Sequence, residues 1–307
     1  MISIIICSRD AKALATVSKS VEETIGVAYE IIGIDNSTGT YSICEAYNLG
    51  AAQSKFDYLC FMHEDLVLHT QNWGLKVLEH LSDVSIGLIG LAGAIYKSRS
   101  NSTWWGVSEH YIRARFIQSN KFGEKLKDIN DNPNNELIAD VVTLDGLWLC
   151  TRKQVWEKHK FDQERFKSFH FYDLDLSLQI GQNFRLSVVY DVLVEHLSEG
   201  SINKSWIENS IIFHNKWRKV LPRAVRPLPE GETQPIELWT AKDFIKQLKA
   251  YKFDTAIILR CQLEYLNLLS FRDKLWLLRN YIFGATLSSK IGTFKDKYKF
   301  GAFKSNS

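Results

Sequence analysis

Proline is scarce in this chain, five in 307 residues, and methionine scarcer, with two. Few prolines leave room for long regular elements. The five cysteines, Cys7, Cys44, Cys60, Cys150 and Cys261, include no CxxC pair, and Cys7, Cys60 and Cys150 sit inside apolar runs. A zinc site or a disulfide framework is therefore not expected; buried free thiols in a reducing compartment are. No window approaches the ~18–20 apolar residues of a membrane span. The opening "MISIIICSRD" lacks the basic start and long apolar core of a signal peptide. A cytoplasmic location is expected. A net charge of +3 offers no general case for polyanion binding, so no nucleic-acid partner is expected.

Several nucleotide and hydrolase signatures are also missing. The glycines of "IGLIGLAG", Gly87, Gly90 and Gly93, follow a helix pattern rather than opening one, and their GxxGxxG spacing is not a dinucleotide fingerprint. No Walker A sequence and no GxSxG elbow occur. His63-Glu64 is not a zincin motif, because Val67 stands where HExxH needs its second histidine.

What is present, 45% apolar and 24% charged residues, is an ordinary globular composition. The first half alternates strand and helix patterns. Ile2–Cys7, the run ending at Asp35, and Tyr58–Met62 read as strands; Asp10–Val21, Ser42–Gln53 and Trp73–Leu81 read as helices. Ser42 and Glu45 have capping-box spacing. Such alternation predicts βαβ units and a mostly parallel sheet, with ligands beyond the carboxyl ends of its strands. Polar clusters recur at those ends: Ser8-Arg9-Asp10, Asp35-Asn36-Ser37 and His63-Glu64-Asp65.

Residues 97–136 are polar and read as an irregular loop. Leu137–Leu144, Leu147–Thr151 and Leu186–Val194 read as strands, Phe171–Gln182 and Ile202–Val220 as helices. "LPRAVRPLPEGETQP" breaks the chain, and helical patterns alone follow near 236–250, 254–270 and 272–282. The expected division is 1–222 and 223–307.

Taken singly, the polar motifs have bland readings. Asp65 or Thr70 could cap a helix, Asp145-Gly146 could be a turn, Asp173 and Asp175 could serve a helix dipole, and His196 could be structural. Their order is more telling. The stretches "ISIIICSRD", "EIIGIDNS", "AYNLGAAQSKFDYLCFMHED", "DGLWLCTR", "FYDLDLSLQIG" and "VEHLSEGS" together resemble an inverting glycosyltransferase of the GT-A fold, family 2-like, over about residues 1–220.

The resemblance implies an α/β GT-A fold with a mostly parallel central sheet flanked by helices, here with a C-terminal helical extension. It implies that Ser8, Arg9 and Asp35 hold the donor nucleotide. The metal-diphosphate motif DxD stands here as His63-Glu64-Asp65, with Asp65 and His196 as ligands of Mn2+ or Mg2+. It places Asp145 and Gly146 near donor and acceptor sugars and makes Asp173 the catalytic base, with Tyr172 in place of the family's glutamate. Trp206, Lys216 and Trp217 are expected on the acceptor side. Asp175 is expected to serve the helix or a neighbouring arginine.

The implied activity transfers sugar from a nucleotide-diphosphate donor to a glycan or lipid-linked saccharide in surface polysaccharide synthesis. A sugar-phosphate nucleotidyltransferase and a non-catalytic sugar-nucleotide or glycan-binding relative are the alternatives. From Phe271 to Ser307 there are eight Lys/Arg and two Asp/Glu among seven interleaved aromatics after Phe271. That composition suits a peripheral membrane contact, and equally a packed helical subdomain, a homodimer contact or a frayed tail.

Overall fold

A computed structural model describes residues 1–266, apart from 121, 123, 199 and 201, together with 274 and 275. The 271–307 stretch weighed as a membrane contact lies outside the described residues except for Lys274 and Leu275. No helix among the described residues is long and apolar enough to cross a membrane.

The first strand, β1 (Ile2–Ser8), is a continuous apolar run because the sheet buries both its faces. Helix α1 (Ala11–Thr24) follows, capped by Asp10, whose carboxylate accepts from Lys12 N. Next come β2 (Tyr29–Asp35) and α2 (Ile43–Gln53), which starts with a complete Ser42/Glu45 capping box. Gly50 lets α2 sit close on β1: a Cβ there would lie 2.4 Å from Ile5 Cγ2. The chain continues through β3 (Tyr58–Met62), β4 (Leu66–Leu68), α3 (Trp73–Ser82), β5 (Ile86–Gly90), β6 (Ala92–Ala94) and β7 (Tyr96–Lys97).

The stretch read as an irregular loop folds differently. It contains β8 (Ile112–Ser119) and β9 (Lys125–Asp131), an antiparallel pair. The exposed face of β9 is polar and hides its strand character in the sequence. Then follow β10 (Ile138–Val141), β11 (Thr143–Leu144), β12 (Trp148–Arg152), the short α4 (Lys153–Lys158) and α5 (Tyr172–Ile180). The single strand expected over Leu186–Val194 is two: β13 (Arg185–Val189) and β14 (Val194–His196). Between them Asp191 turns aside to accept from His80 Nε2 at 2.9 Å and Lys76 Nζ at 3.3 Å.

Among the described residues the large sheet runs β10-β13-β5-β12-β3-β1-β2. Its β2-β1-β3 and β5-β13 neighbours are parallel, while β12 and β10 run against theirs. The expected α/β class holds. A second sheet, β11-β6-β8-β14-β4 with β9 on β8, was not legible in the sequence. Strands of two or three residues give too short an alternation to read.

Helix α6 (Lys204–Trp217) is followed by β15 (Arg223–Ala224), which pairs with β7, so the chain just past residue 222 returns to the first part. Two helices then follow, α7 (Glu230–Ala250) and α8 (Thr255–Leu266). Helix α7 starts before the expected 236, and Pro235 lies inside it. The carbonyl that Pro235 cannot pair, that of Gly231, lies in the exposed first turn.

Helix α7 docks through a buried carboxylate. Glu237 accepts from Tyr96 Oη at 2.6 Å, Arg99 N at 2.8 Å, Ser100 N at 3.2 Å and Ser100 Oγ at 3.3 Å. Nearby, the fully buried Lys97 is pushed down to about 7 by burial, donating to Ser102 Oγ at 2.7 Å and facing His214 Nε2 at 3.0 Å. Tyr265 of α8 donates to Asn101 Oδ1 at 2.6 Å. Removing the Glu237 carboxylate would strand several buried donors at about 1–3 kcal/mol each. Glu237→Ala is therefore expected to lower the urea unfolding free energy by at least about 3 kcal/mol; Glu237→Gln, which keeps some acceptor capacity, is expected to lose less.

Candidate active site

Four pieces of chain meet beyond the carboxyl ends of the parallel strands. His63 continues β3, its N–H donating to Leu147 O at 3.0 Å. The same β3–β12 pairing draws Asp145-Gly146, just before β12, towards His63. Strand β14 runs antiparallel to β4 with His196 opposite Leu66, and Leu197 N donates to Asp65 O at 3.0 Å. That register sets His196 against Asp65. Helix α5 begins at Tyr172-Asp173, directly after Phe171, whose φ of 67° bends the chain into the helix.

One potential ligand atom from each of His63, Asp65 and His196 lies within 4.8 Å of the others. Asp65 Oδ1 is 3.7 Å from His196 Nε2 and 4.0 Å from His63 Nδ1. Burial raises the Asp65 carboxyl, but His196, His63 and Ser198 hold it below the usual range. Burial and the neighbouring His196 lower His63, favouring neutral imidazole. Neutral imidazoles and an ionised carboxylate are the forms that bind metal.

The hydroxyl of Tyr172 engages one nitrogen of His63 and leaves the other towards Asp65. It lies 3.1 Å from Gly146 O and 2.8 Å from His63 Nε2. With its proton directed to Gly146 O, Nε2–H donates to the tyrosine oxygen. The lone pair then rests on Nδ1, the nitrogen nearer Asp65. Gly146 is required here: a Cβ would lie 2.0 Å from Tyr172 Oη. The residue that departs from the family's glutamate thus has a task of its own.

Asp173 accepts from Gly146 N at 3.1 Å, and its carboxyl is pushed up to about 7 by burial and by the charge of Asp145. Both oxygens of Asp145 are engaged, Oδ2 with Trp104 Nε1 at 2.6 Å and Oδ1 with Leu147 N at 2.9 Å. Trp104 was not singled out from the sequence; the Trp104-Trp105 doublet inside a polar stretch was its only signal. Phe169, also missed, is 53% exposed with its ring 5.4 Å from His63 and 6.0 Å from Tyr172.

Glu64 is turned towards β1. It accepts from Ser8 Oγ at 2.6 Å, Arg9 N at 3.1 Å and Asp10 N at 3.2 Å. Ser8, Arg9 and Glu64 therefore form one cluster. Asp35 stands opposite Ser8 in the β1–β2 register, but its carboxylate is exposed and accepts from Ser37 N. Trp206 is buried against Phe171, with ring centres 5.2 Å apart. Lys216 and Trp217 bind Asp175: Lys216 Nζ lies 2.8 Å from Oδ1, and Trp217 Nε1 donates to it at 2.7 Å. Asp175, expected to serve the helix or a neighbouring arginine, thus pairs with a lysine and an indole and also accepts from Gln179 Nε2 of its own helix at 2.7 Å.

An acid whose folded-state pKa is raised favours the fold below its unfolded value, near ~4 for aspartate, and that advantage is lost as pH rises through about 7. Without added metal, Asp173→Asn is expected to melt close to wild type at acidic pH and above it at alkaline pH. Differential scanning calorimetry across that range checks the sign.

Comparison with known proteins gives the family. No curated protein matches the sequence. Among solved structures, GalNAc-T7 with UDP, GalNAc and Mn2+ overlaps at TM-score 0.49 and 14% identity, over 80% of this chain and 54% of that one. The mannosyltransferase PcManGT from Pyrobaculum calidifontis, in complex with GDP-Man and Mn2+, overlaps at TM-score 0.46 and 11% identity, over 88% and 81%. This chain thus spans about half the length of the GalNAc-T7 chain. The model of a family described as glycosyltransferase-like matches residues 3–219, most of the sequence. The chain belongs to that glycosyltransferase-like family.

Proposed function

We propose that this protein is a divalent-metal-dependent, inverting glycosyltransferase, moving a sugar from a nucleotide-diphosphate donor to a glycan or lipid-linked saccharide of a surface polysaccharide. The observation that carries the reading is the convergence of His63, Asp65 and His196 on one point in a site shared with the half-buried carboxylate Asp173, to which Tyr172 and Gly146 link it.

The donor set fits a divalent cation: one carboxylate and two imidazoles, with one imidazole held from behind by Tyr172. His63, Asp65 and His196 would hold it, and two nitrogens favour Mn2+ over Mg2+. When bound, the ion neutralises charge that develops on the departing diphosphate. The Ser8–Arg9 edge, kept in shape by Glu64, and Asp35 would receive the nucleoside.

Asp173 takes the proton of the acceptor hydroxyl as that oxygen bonds to the anomeric carbon and the carbon–diphosphate bond breaks. A raised pKa suits the task, since a base works best when poised near the operating pH, and such help is worth roughly 10²–10⁴-fold. A retaining double displacement needs a second carboxylate free to act as nucleophile. Asp145, the neighbouring acid, has both oxygens in hydrogen bonds, which supports inversion. The basic aromatic stretch 271–307 would bring the enzyme to an anionic membrane surface where lipid-linked acceptors lie.

Thermal-shift screening with UDP-, GDP- and dTDP-sugars tests the reading. At least one is expected to raise the melting temperature only with Mn2+ or Mg2+. Asp173→Asn should keep that shift while donor turnover falls at least about a hundredfold. No shift with any donor, or undiminished turnover in Asp173→Asn, would overturn it.

A further inference from the structure

Residues 98–106 have no regular secondary structure, yet most of them are buried. Irregular backbone tolerates burial only where its polar groups find partners. Here the partners come from the C-terminal helices. Arg99 N and Ser100 N donate to Glu237 of α7. Asn101 N donates to Tyr265 Oη of α8 at 3.2 Å, and Asn101 Nδ2 donates to Ser210 Oγ of α6 at 3.0 Å. Glu237 and Tyr265 lie beyond the matched region 3–219. The extension therefore holds the stretch that leads into Trp104.

Trp104 reaches the turn beside the proposed base. Its side chain is buried, and Nε1–H donates to Asp145 Oδ2 at 2.6 Å. The other oxygen of that carboxylate closes the turn 145–147 by accepting from Leu147 N. At the apex, Gly146 N donates to Asp173 Oδ2, and Gly146 O lies against the Tyr172 hydroxyl. An indole, a carboxylate and a turn thus connect the extension to the two residues that start α5. The bond to the carboxylate is charge-assisted, and an indole has one donor and no acceptor, so this contact uses all the hydrogen-bonding capacity of Trp104. We infer that Trp104 is a positioning residue for Asp173, acting through Asp145 and Gly146, and that the extension is part of the active site because it holds Trp104. The effect on turnover rests on the glycosyl-transfer reading; the link from extension to turn does not.

Turnover of UDP-, GDP- and dTDP-sugars by the full chain with Mn2+ tests the proposal, with nitrogen–proton NMR of the indole groups on the same preparations. Trp104→Phe keeps an aromatic ring and removes the donor. It should lower kcat at least about tenfold, the loss of one charge-assisted hydrogen bond, with the donor KM little changed. In an Asp145→Ala background the same substitution should cost little more, because its partner is already gone. Glu237→Gln should lower kcat several-fold in wild type and not further in Trp104→Phe. Losses that simply add, as independent structural damage would, or equal kcat in wild type and Trp104→Phe, would overturn the inference. If wild type turns over no donor, the transferase reading falls and the effect on turnover with it. The Trp104 indole signal then decides the link: displacement in both Asp145→Ala and Glu237→Gln upholds it, and a signal unmoved in Glu237→Gln overturns it.

Discussion

One tyrosine hydroxyl ties this site together. Tyr172 bridges the carbonyl of Gly146 and Nε2 of His63. That bridge leaves Nδ1 of His63 facing Asp65, beside His196. The bridge needs a glycine at 146, because any Cβ would collide with the tyrosine, and it needs the left-handed backbone at Phe171 that starts α5. Buried hydrogen-bonded groups of this kind are costly to disturb singly, since each leaves its partner unserved.

The two sheets supply the rest. The large sheet carries His63 and, through β12, the Asp145-Gly146 turn; the small one delivers His196 to Asp65 by pairing β14 with β4. A shift of one residue in the β14–β4 register would turn His196 to the other face. The extension acts at greater remove: Glu237 and Tyr265 hold the chain from Tyr96 to Asn101, and Trp104, three residues on, holds Asp145.

Much of this was legible in the sequence where a local signal had a physical cause. Ser42 and Glu45 announced α2, and the apolar runs of β1 and β3 announced strands buried on both faces. The polar clusters at the strand ends marked the side on which His63 and Asp65 stand. The second sheet was not legible, because its strands are mostly very short and β9 is polar. The pairing of Lys216 and Trp217 with Asp175 was not legible either, since a contact across 41 or 42 residues leaves no local trace. Tyr172 was read as a lost carboxylate; only the proximity of Gly146 and His63 reveals its use.

Tyr172 is the residue that holds His63 with Nδ1 towards Asp65. Mn2+ affinity of wild type and Tyr172→Phe, measured by electron paramagnetic resonance of the free ion, tests it most directly. The predicted result is binding in wild type that weakens about 10–100-fold in the variant, the usual effect of removing a partner that orients a metal-bound histidine. Equal affinity in the two proteins would contradict it.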